Sequence, residues 1–376
     1  MPESKRVLVL SAAVGAGHTK AAEALKNALQ CRYPQVEVDL VDTFSFAGKR
    51  LGKVVFGTYL SLIKLFPSIY GYVYRKSEKD TWMGQFSQQG IISWMTKCMA
   101  KPLRELVDSG DYHHIVCTHP FALGIVSRLK QKYSWPMPLH AVLTDFTAHH
   151  CWVYPNVACY YVAHHQVKEE LMAQNIHAQQ IQVTGIPIDP RFAAGLEPRN
   201  LVASLGIQEE PVTVLVMGGG LGWGPLEEIV MQLAKSTLPC QLLVVTGTNK
   251  QLYLKLKSRA KEFKLPCKIY GFIDFIPDLL AVSDLLITKP GGLTAAEALA
   301  KNVPMIIPGA IAGHEESNAQ FLIDQGAAIR IHHPEEIIPI VQKYCDGVSL
   351  NRWKSSIRQL GQPQAASTIA QFIVEG

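Results

Sequence analysis

No two of the eight cysteines in these 376 residues stand at CxxC spacing. That argues against a zinc site or a disulfide framework and for buried thiols in a reducing compartment. No apolar run approaches the ~20 residues that span a bilayer, and Met1 to Lys20 lack the basic start, apolar middle and small-residue cleavage site of a signal peptide. A cytosolic or peripheral protein is expected. Charged residues are scarce at 18% while hydrophobic ones reach 48%, which excludes extensive disorder and fits well-cored globular domains, two of them at this length. The dinucleotide fingerprint GxGxxG and a Walker lysine are missing too, which argues against a nicotinamide cofactor and a P-loop. The net charge of +5 is modest, so it matters only where it is concentrated.

It is concentrated between Phe44 and Glu105, where ten Lys or Arg face three acidic residues among eleven aromatics. Phe56, Tyr59, Leu60, Ile63 and Phe66 recur at helical spacing, with Lys49, Arg50 and Lys53 just before or among them. Such a stripe can lie on an anionic membrane, each basic residue adding ~1 kcal/mol at the lipid surface. The competing reading is a helix packed on its own domain with a solvated basic side. Nucleic acid is not expected as a partner, because no nucleic-acid fold signature accompanies the charge.

The rest of the chain has a βα rhythm. Lys5 to Ala12 is an apolar strand; a small-residue loop through Gly17 then opens onto a helix over Thr19 to Gln30. His18 stands at that helix start, where the dipole disfavours imidazolium by ~0.3–1 kcal/mol and helps keep the ring neutral, fit for a base or merely for a cap. Strands follow at Val36 to Val41, Ile115 to His119, Leu139 to Thr144 and Val157 to Ala163. Asp145, His149 and Trp152 come just after a strand's carboxyl end, the edge where open α/β sheets place ligands. His149, His150 and Cys151 show no convincing metal spacing, so no metal is expected.

After a last strand and a Pro-rich turn (Ile181 to Phe192), a polar connector near Ala193 to Asn200 marks the hinge between residues 1–197 and a second series over 198–350; residues 351–376 are expected to form a helix packing back toward the first domain. In the second series Val212 to Met217 runs into the glycine loop containing Gly220 and Gly222. Further on, Phe272 and Ile273 follow a strand and offer exposed backbone beside an aromatic for a flat base. At Gly291 and Gly292 another strand breaks into a helix, so the N–H groups of Leu293, Thr294 and Ala295 are poised for phosphate. Glu297 lies one turn in, placed for a ribose, and Glu315, Glu316 and Asn318 suit sugar hydroxyls. An ordinary strand–turn–helix remains the bland alternative.

GAGHTKAAEAL (Gly15 to Leu25), THPF (Thr118 to Phe121), TDFTAHHCW (Thr144 to Trp152), VTGIPIDPRF (Val183 to Phe192), GGGLGWG (Gly218 to Gly224), GFI (Gly271 to Ile273), TKPGGLTAAEAL (Thr288 to Leu299) and GHEESN (Gly313 to Asn318) occur in one order. Together they resemble the monogalactosyldiacylglycerol synthase and processive diacylglycerol glucosyltransferase family. That resemblance implies a GT-B fold, two Rossmann-like α/β domains facing a cleft. It implies inverting transfer of a hexose from a UDP-sugar to diacylglycerol or a glycosyl-diacylglycerol. His18 would be the catalytic base, Asp145 an acceptor-side residue, Gly271 to Ile273 the uracil site and Glu297 the ribose ligand. Glu315, Glu316 and Asn318 would touch the donor hexose, and the 44–105 segment would dock on the membrane. No cofactor beyond the donor is implied, and no DxD-like metal clamp is evident. Alternatives are transfer to a polyprenyl-linked acceptor, a UDP-sugar epimerase, or a non-catalytic nucleotide-sugar sensor.

Overall fold

The computed structural model describes residues 5–12, 16–47, 81–194, 198–220, 222, 224–309 and 314–376. Lys49, Arg50, Lys53, Phe56, Tyr59 and Phe66, the core of the expected membrane stripe, lie outside them. Of the wider 44–105 insertion, Thr81–Gly110 is one helix. Its second half buries Met99, Leu103 and Val107 at four-residue spacing and turns Lys101, Arg104 and Glu105 to solvent, the pattern of a helix laid on its own domain. Among the described residues no helix is long and apolar enough to cross a membrane.

The described residues form two compact units, one drawn from Met1–Pro190, Ile311–His314 and Gln364–Gly376, the other from Arg191–Ala310 and Glu315–Pro363. The first is built on six strands: β1 (Arg6–Ser11), β2 (Glu37–Asp42), β3 (His114–Cys117), β4 (Leu139–Val142), β5 (Val157–Val162) and β6 (Ile181–Val183). They lie in the order β2-β1-β3-β4-β5-β6, every neighbouring pair parallel. Such strands are buried on both faces and read as continuous apolar runs; in β1, Val7 to Leu10 are wholly buried.

Helix Ala16–Arg32 packs its Ala22, Leu25 and Leu29 side against Ala366, Ile369, Ala370 and Ile373 of the chain's last helix, Ala365–Glu375. Residues 351–376 are therefore not one helix: Val348–Ile357 belongs to the second unit, and Ala365–Glu375 alone packs on the first.

The second sheet comprises β7 (Val212–Met217), β8 (Cys240–Val245), β9 (Cys267–Tyr270), β10 (Leu285–Thr288), β11 (Met305–Pro308) and β12 (Ala328–Ile331), ordered β12-β11-β10-β7-β8-β9. All of its pairs are parallel as well. In each sheet the strand order reverses once, between β1 and β3 and between β7 and β10. Open α/β sheets bind ligands outside the carboxyl ends of the strands at such a reversal. Residues 16–18 and 118–121 border the first of these points, and residues 218–220 and 289–293 the second.

Candidate active site

At the first reversal, His18 is the third residue of its helix and half-buried. Its Nδ1 lies 2.9 Å from the carbonyl oxygen of Thr118 and 2.8 Å from Thr144 Oγ1. A carbonyl only accepts, so Nδ1 carries the hydrogen and donates it; the lone pair of a neutral ring is left on Nε2. Thr118 Oγ1 donates back to the His18 carbonyl at 3.1 Å. Thr118 directly follows β3 and Thr144 lies two residues past β4, so segments leaving two strand ends fix the ring.

His119, its neighbour, is edge-on to His18 with ring centroids 4.5 Å apart, and Phe44 and Phe121 flank it. It is not a rival base. Its Nδ1 accepts from the Phe121 N–H as the helix N-cap, and burial, then the charge of His18, holds its pKa well below the usual histidine range.

Asp145 is half-buried directly after Thr144. It lies near Cys151, whose thiol is pushed up to about 12 by burial and, secondarily, by the Asp145 carboxylate. His149 Nδ1 accepts from the Cys151 N–H at 3.1 Å, capping a short turn. Trp152, expected on the acceptor side, is only 2% exposed; its ring fills the core beneath that turn and presents no face to a lipid. Gly17 sits at the second position of the His18 helix.

At the second reversal the glycines divide into two kinds. Gly222 has φ +63°, and a Cβ there would collide with the Thr246 carbonyl oxygen. The Gly220 carbonyl accepts from the Thr248 N–H at 3.0 Å and its hydroxyl at 3.2 Å, and Asn249 Nδ2 donates to the Gly222 carbonyl at 3.3 Å. Of these two glycines, both read from sequence as facing the ligand, Gly222 is demanded by packing on the Thr246–Asn249 turn, while Gly220 joins that packing through its carbonyl. Gly291 is different. Its φ of −71° suits any residue, and among the described residues nothing but its chain neighbours lies within 4 Å of where its Cβ would stand. Gly271 likewise has nothing among the described residues near its Cβ position, next to Phe272, which is 68% exposed; Ile273 beside it is half-buried.

Helix Gly292–Ala300 starts at Gly291 as N-cap, and no side chain caps it. The Ala295 N–H, expected to be open, already donates to the Gly291 carbonyl at 2.9 Å, because the helix begins one residue earlier than the glycine pair suggests. The first-turn donors are those of Gly292, Leu293 and Thr294. Glu297 is half-buried on the same helix.

Helix His314–Asp324 brings its acidic pair to two different partners. Glu315, 5% exposed, takes Lys289 Nζ at 2.6 Å through Oε1, while Glu316 takes Arg330 Nη1 at 2.7 Å. Adjacent helical residues point about 100° apart, so the two carboxylates do not converge on one sugar. Asn318, fully buried, shares the Glu315 side of the helix. Lys289 also passes 3.2 Å from the Cβ position of Gly219, which sets an ammonium beside the glycine loop. Thr118, Thr144, Lys289 and Arg330 had no role from sequence; Lys289 alone left a signal, as the charged residue that ends an apolar strand before Pro-Gly-Gly. Among the described residues no three His, Cys, Asp or Glu side chains gather as a metal site.

Two parallel sheets with these reversals define a GT-B fold. MurG of Acinetobacter baumannii superposes with TM-score 0.67 at 15% identity over 99% of this chain and 100% of its own. A UDP-GlcNAc 2-epimerase from Neisseria meningitidis, bound to UDP-GlcNAc, does so with 0.60 at 13% over 99% and 100%; the fold is thus shared by transferases and epimerases. Residues 18–188 match monogalactosyldiacylglycerol (MGDG) synthase, and residues 213–356 match the glycosyltransferase family 28 C-terminal domain. A processive diacylglycerol beta-glucosyltransferase of Bacillus subtilis (strain 168) is 30% identical over 100% of this chain and 96% of its own. The chain belongs to this glycosyltransferase family.

Proposed function

We propose that the chain transfers a hexose from a UDP-sugar to diacylglycerol, or to a glycosyl-diacylglycerol, with inversion to a β-glycoside at a membrane surface. The observation that carries the chemistry is the tautomer of His18. With Nδ1–H given to Thr118 and Thr144, Nε2 takes the proton of the acceptor hydroxyl as its oxygen attacks the anomeric carbon. Asp145 is the next group along this edge and acts on the acceptor side. The bond from that carbon to the diphosphate breaks, and the negative charge that develops on UDP is met by the N–H groups of Gly292, Leu293 and Thr294. Lys289 adds a positive charge beside the glycine loop. Phe272 stacks on the base, and Glu297 accepts from the ribose. Glu315 acts on the hexose side through Lys289 and Glu316 through Arg330, while the buried Asn318 supports that helix from within. Basic residues of the 44–105 segment meet anionic lipid.

The full-length relatedness to diacylglycerol glucosyltransferases favours this over epimerisation, which the shared fold leaves open. The experiment is product analysis with UDP-glucose, UDP-galactose and UDP-N-acetylglucosamine, each with and without diacylglycerol vesicles. Glycolipid should form from at least one donor and only with lipid present. Conversion of the nucleotide sugar without lipid would establish the epimerase instead.

A further inference from the structure

The amino edge of the second sheet, opposite the donor loops, carries chemistry that the transfer reaction does not use. Cys240 opens β8 there, 2% exposed. Cys345 ends helix Ile337–Tyr344 as its C-cap and is half-buried. Although 105 positions apart in sequence, the two thiols are close enough for each to perturb the other. Both are reduced. Cys345 also lines a cavity of about 600 Å³ with Lys235, Lys264, Gln342 and Asp346.

We propose that Cys345 and Cys240 form a thiol–disulfide exchange site, with the cavity receiving a small disulfide that bears both carboxylate and ammonium groups. The cavity is of a size that holds small molecules, and its two lysines and one aspartate match such a zwitterion. Cys345 is also the thiol disposed to react first. Burial pushes the thiols of Cys151 and Cys267 up to about 12, whereas the neighbouring Cys240 lowers that of Cys345, and the thiolate is the attacking form.

The Cys345 thiolate attacks one sulfur of the small disulfide; that S–S bond breaks, and its other half leaves as a thiol with the proton Cys345 has lost. Cys240 then attacks the Cys345 sulfur of the mixed disulfide, its proton passing to the second departing thiol. The small disulfide is reduced by two electrons and the protein dithiol is oxidised by the same two. No donor or acceptor residue takes part, so the proposal stands or falls apart from the transfer reaction.

The test treats the full-length protein with oxidised glutathione and maps its peptides by mass spectrometry without reduction. Wild-type protein should yield a cross-link between the peptides of Cys240 and Cys345, lighter by about two hydrogen masses than the free pair, with no glutathione retained on either. Cys240→Ser and Cys240→Ala, checked as folded by circular dichroism, should trap glutathione on Cys345. Cys345→Ser should leave Cys240 unmodified, since the buried thiol lacks its own route to the reagent. The proposal is overturned if wild-type Cys345 stays unmodified while the exposed Cys31 reacts, or if wild-type Cys345 keeps its glutathione and no cross-link forms.

Discussion

Removing one of the two acceptors of the His18 Nδ1–H tests how the ring is held. Thr144→Val deletes the hydroxyl at 2.8 Å and leaves the Thr118 carbonyl at 2.9 Å, so the tautomer survives but the ring is steered by one contact in place of two. A net hydrogen bond is worth about 0.5–1.5 kcal/mol, so transfer should fall roughly 2- to 12-fold in kcat/KM. Thr144→Ser keeps the oxygen and should stay near wild type. His18→Ala, by contrast, removes the base and should cost about 10²–10⁴-fold, with the fold and UDP affinity retained. In the His18→Ala background Thr144→Val should then do nothing further, because groups that act as a unit are not additive. The assay is steady-state transfer at saturating donor, with UDP affinity measured by calorimetry. If Thr144→Val slows transfer equally in both backgrounds, Thr144 does not act through His18. If the His18→Ala protein melts earlier yet transfers at near-normal rate, His18 is a cap, and Asp145 becomes the first candidate base.

Glu297→Ala should weaken UDP binding by about 1.5–3 kcal/mol, the worth of charged hydrogen bonds; unchanged affinity in calorimetry removes Glu297 from the donor site. Gly291→Ala should leave the melting temperature unchanged and lower UDP affinity, whereas Gly222→Ala should lower the melting temperature, since only the latter meets a carbonyl and a positive φ; the reverse pattern would undo the division between the two glycines. Acid should destabilise the first unit through the buried chain Tyr161–His140–His114, joined at 3.3 and 3.2 Å. Burial first, then neighbouring positive groups, lowers His114 to about 4 and His140 to about 3. Stability is therefore whole above pH 6.5 and drains below it, by about 1.4 kcal/mol per pH unit per histidine at most, levelling off near 4 and 3. Urea midpoints should show this slope and a shallower one in His140→Gln; midpoints flat from pH 7 to 5 would count against it. Vesicle binding should need anionic lipid, fade with salt and be abolished by changing Lys49, Arg50 and Lys53 to Glu; equal binding to neutral vesicles would contradict the electrostatic part.

Much of the architecture was legible because parallel strands buried on both faces leave unbroken apolar runs, as in RVLVLS and VTVLVM. β12 is quieter. It is four residues with an arginine at the third, too short and too polar to stand out. The glycine loops announced the sheet edges, but sequence does not say which glycine faces a ligand and which faces its own chain; the Thr246 carbonyl that Gly222 must clear lies 24 positions away. His18 was visible at its helix start, yet the groups that set its tautomer are 100 and 126 residues distant, beyond any local pattern. Trp152 as a lipid contact, and Glu315 and Glu316 as a converging pair, misled for one reason. A motif gives residue types in order and leaves open which way each side chain points.

The closing helix of the chain sets a timetable. Ala365–Glu375 covers Ala22, Leu25 and Leu29 on the helix that carries His18, but it is made only after the whole second unit. A ribosome adding about 5–20 residues per second needs on the order of ten to thirty seconds to travel from residue 190 to residue 364. For that interval the first unit waits with an apolar flank uncovered while the second is being made. The His18 helix acquires its final support last, so the half of the enzyme that begins the chain is the half completed at its end.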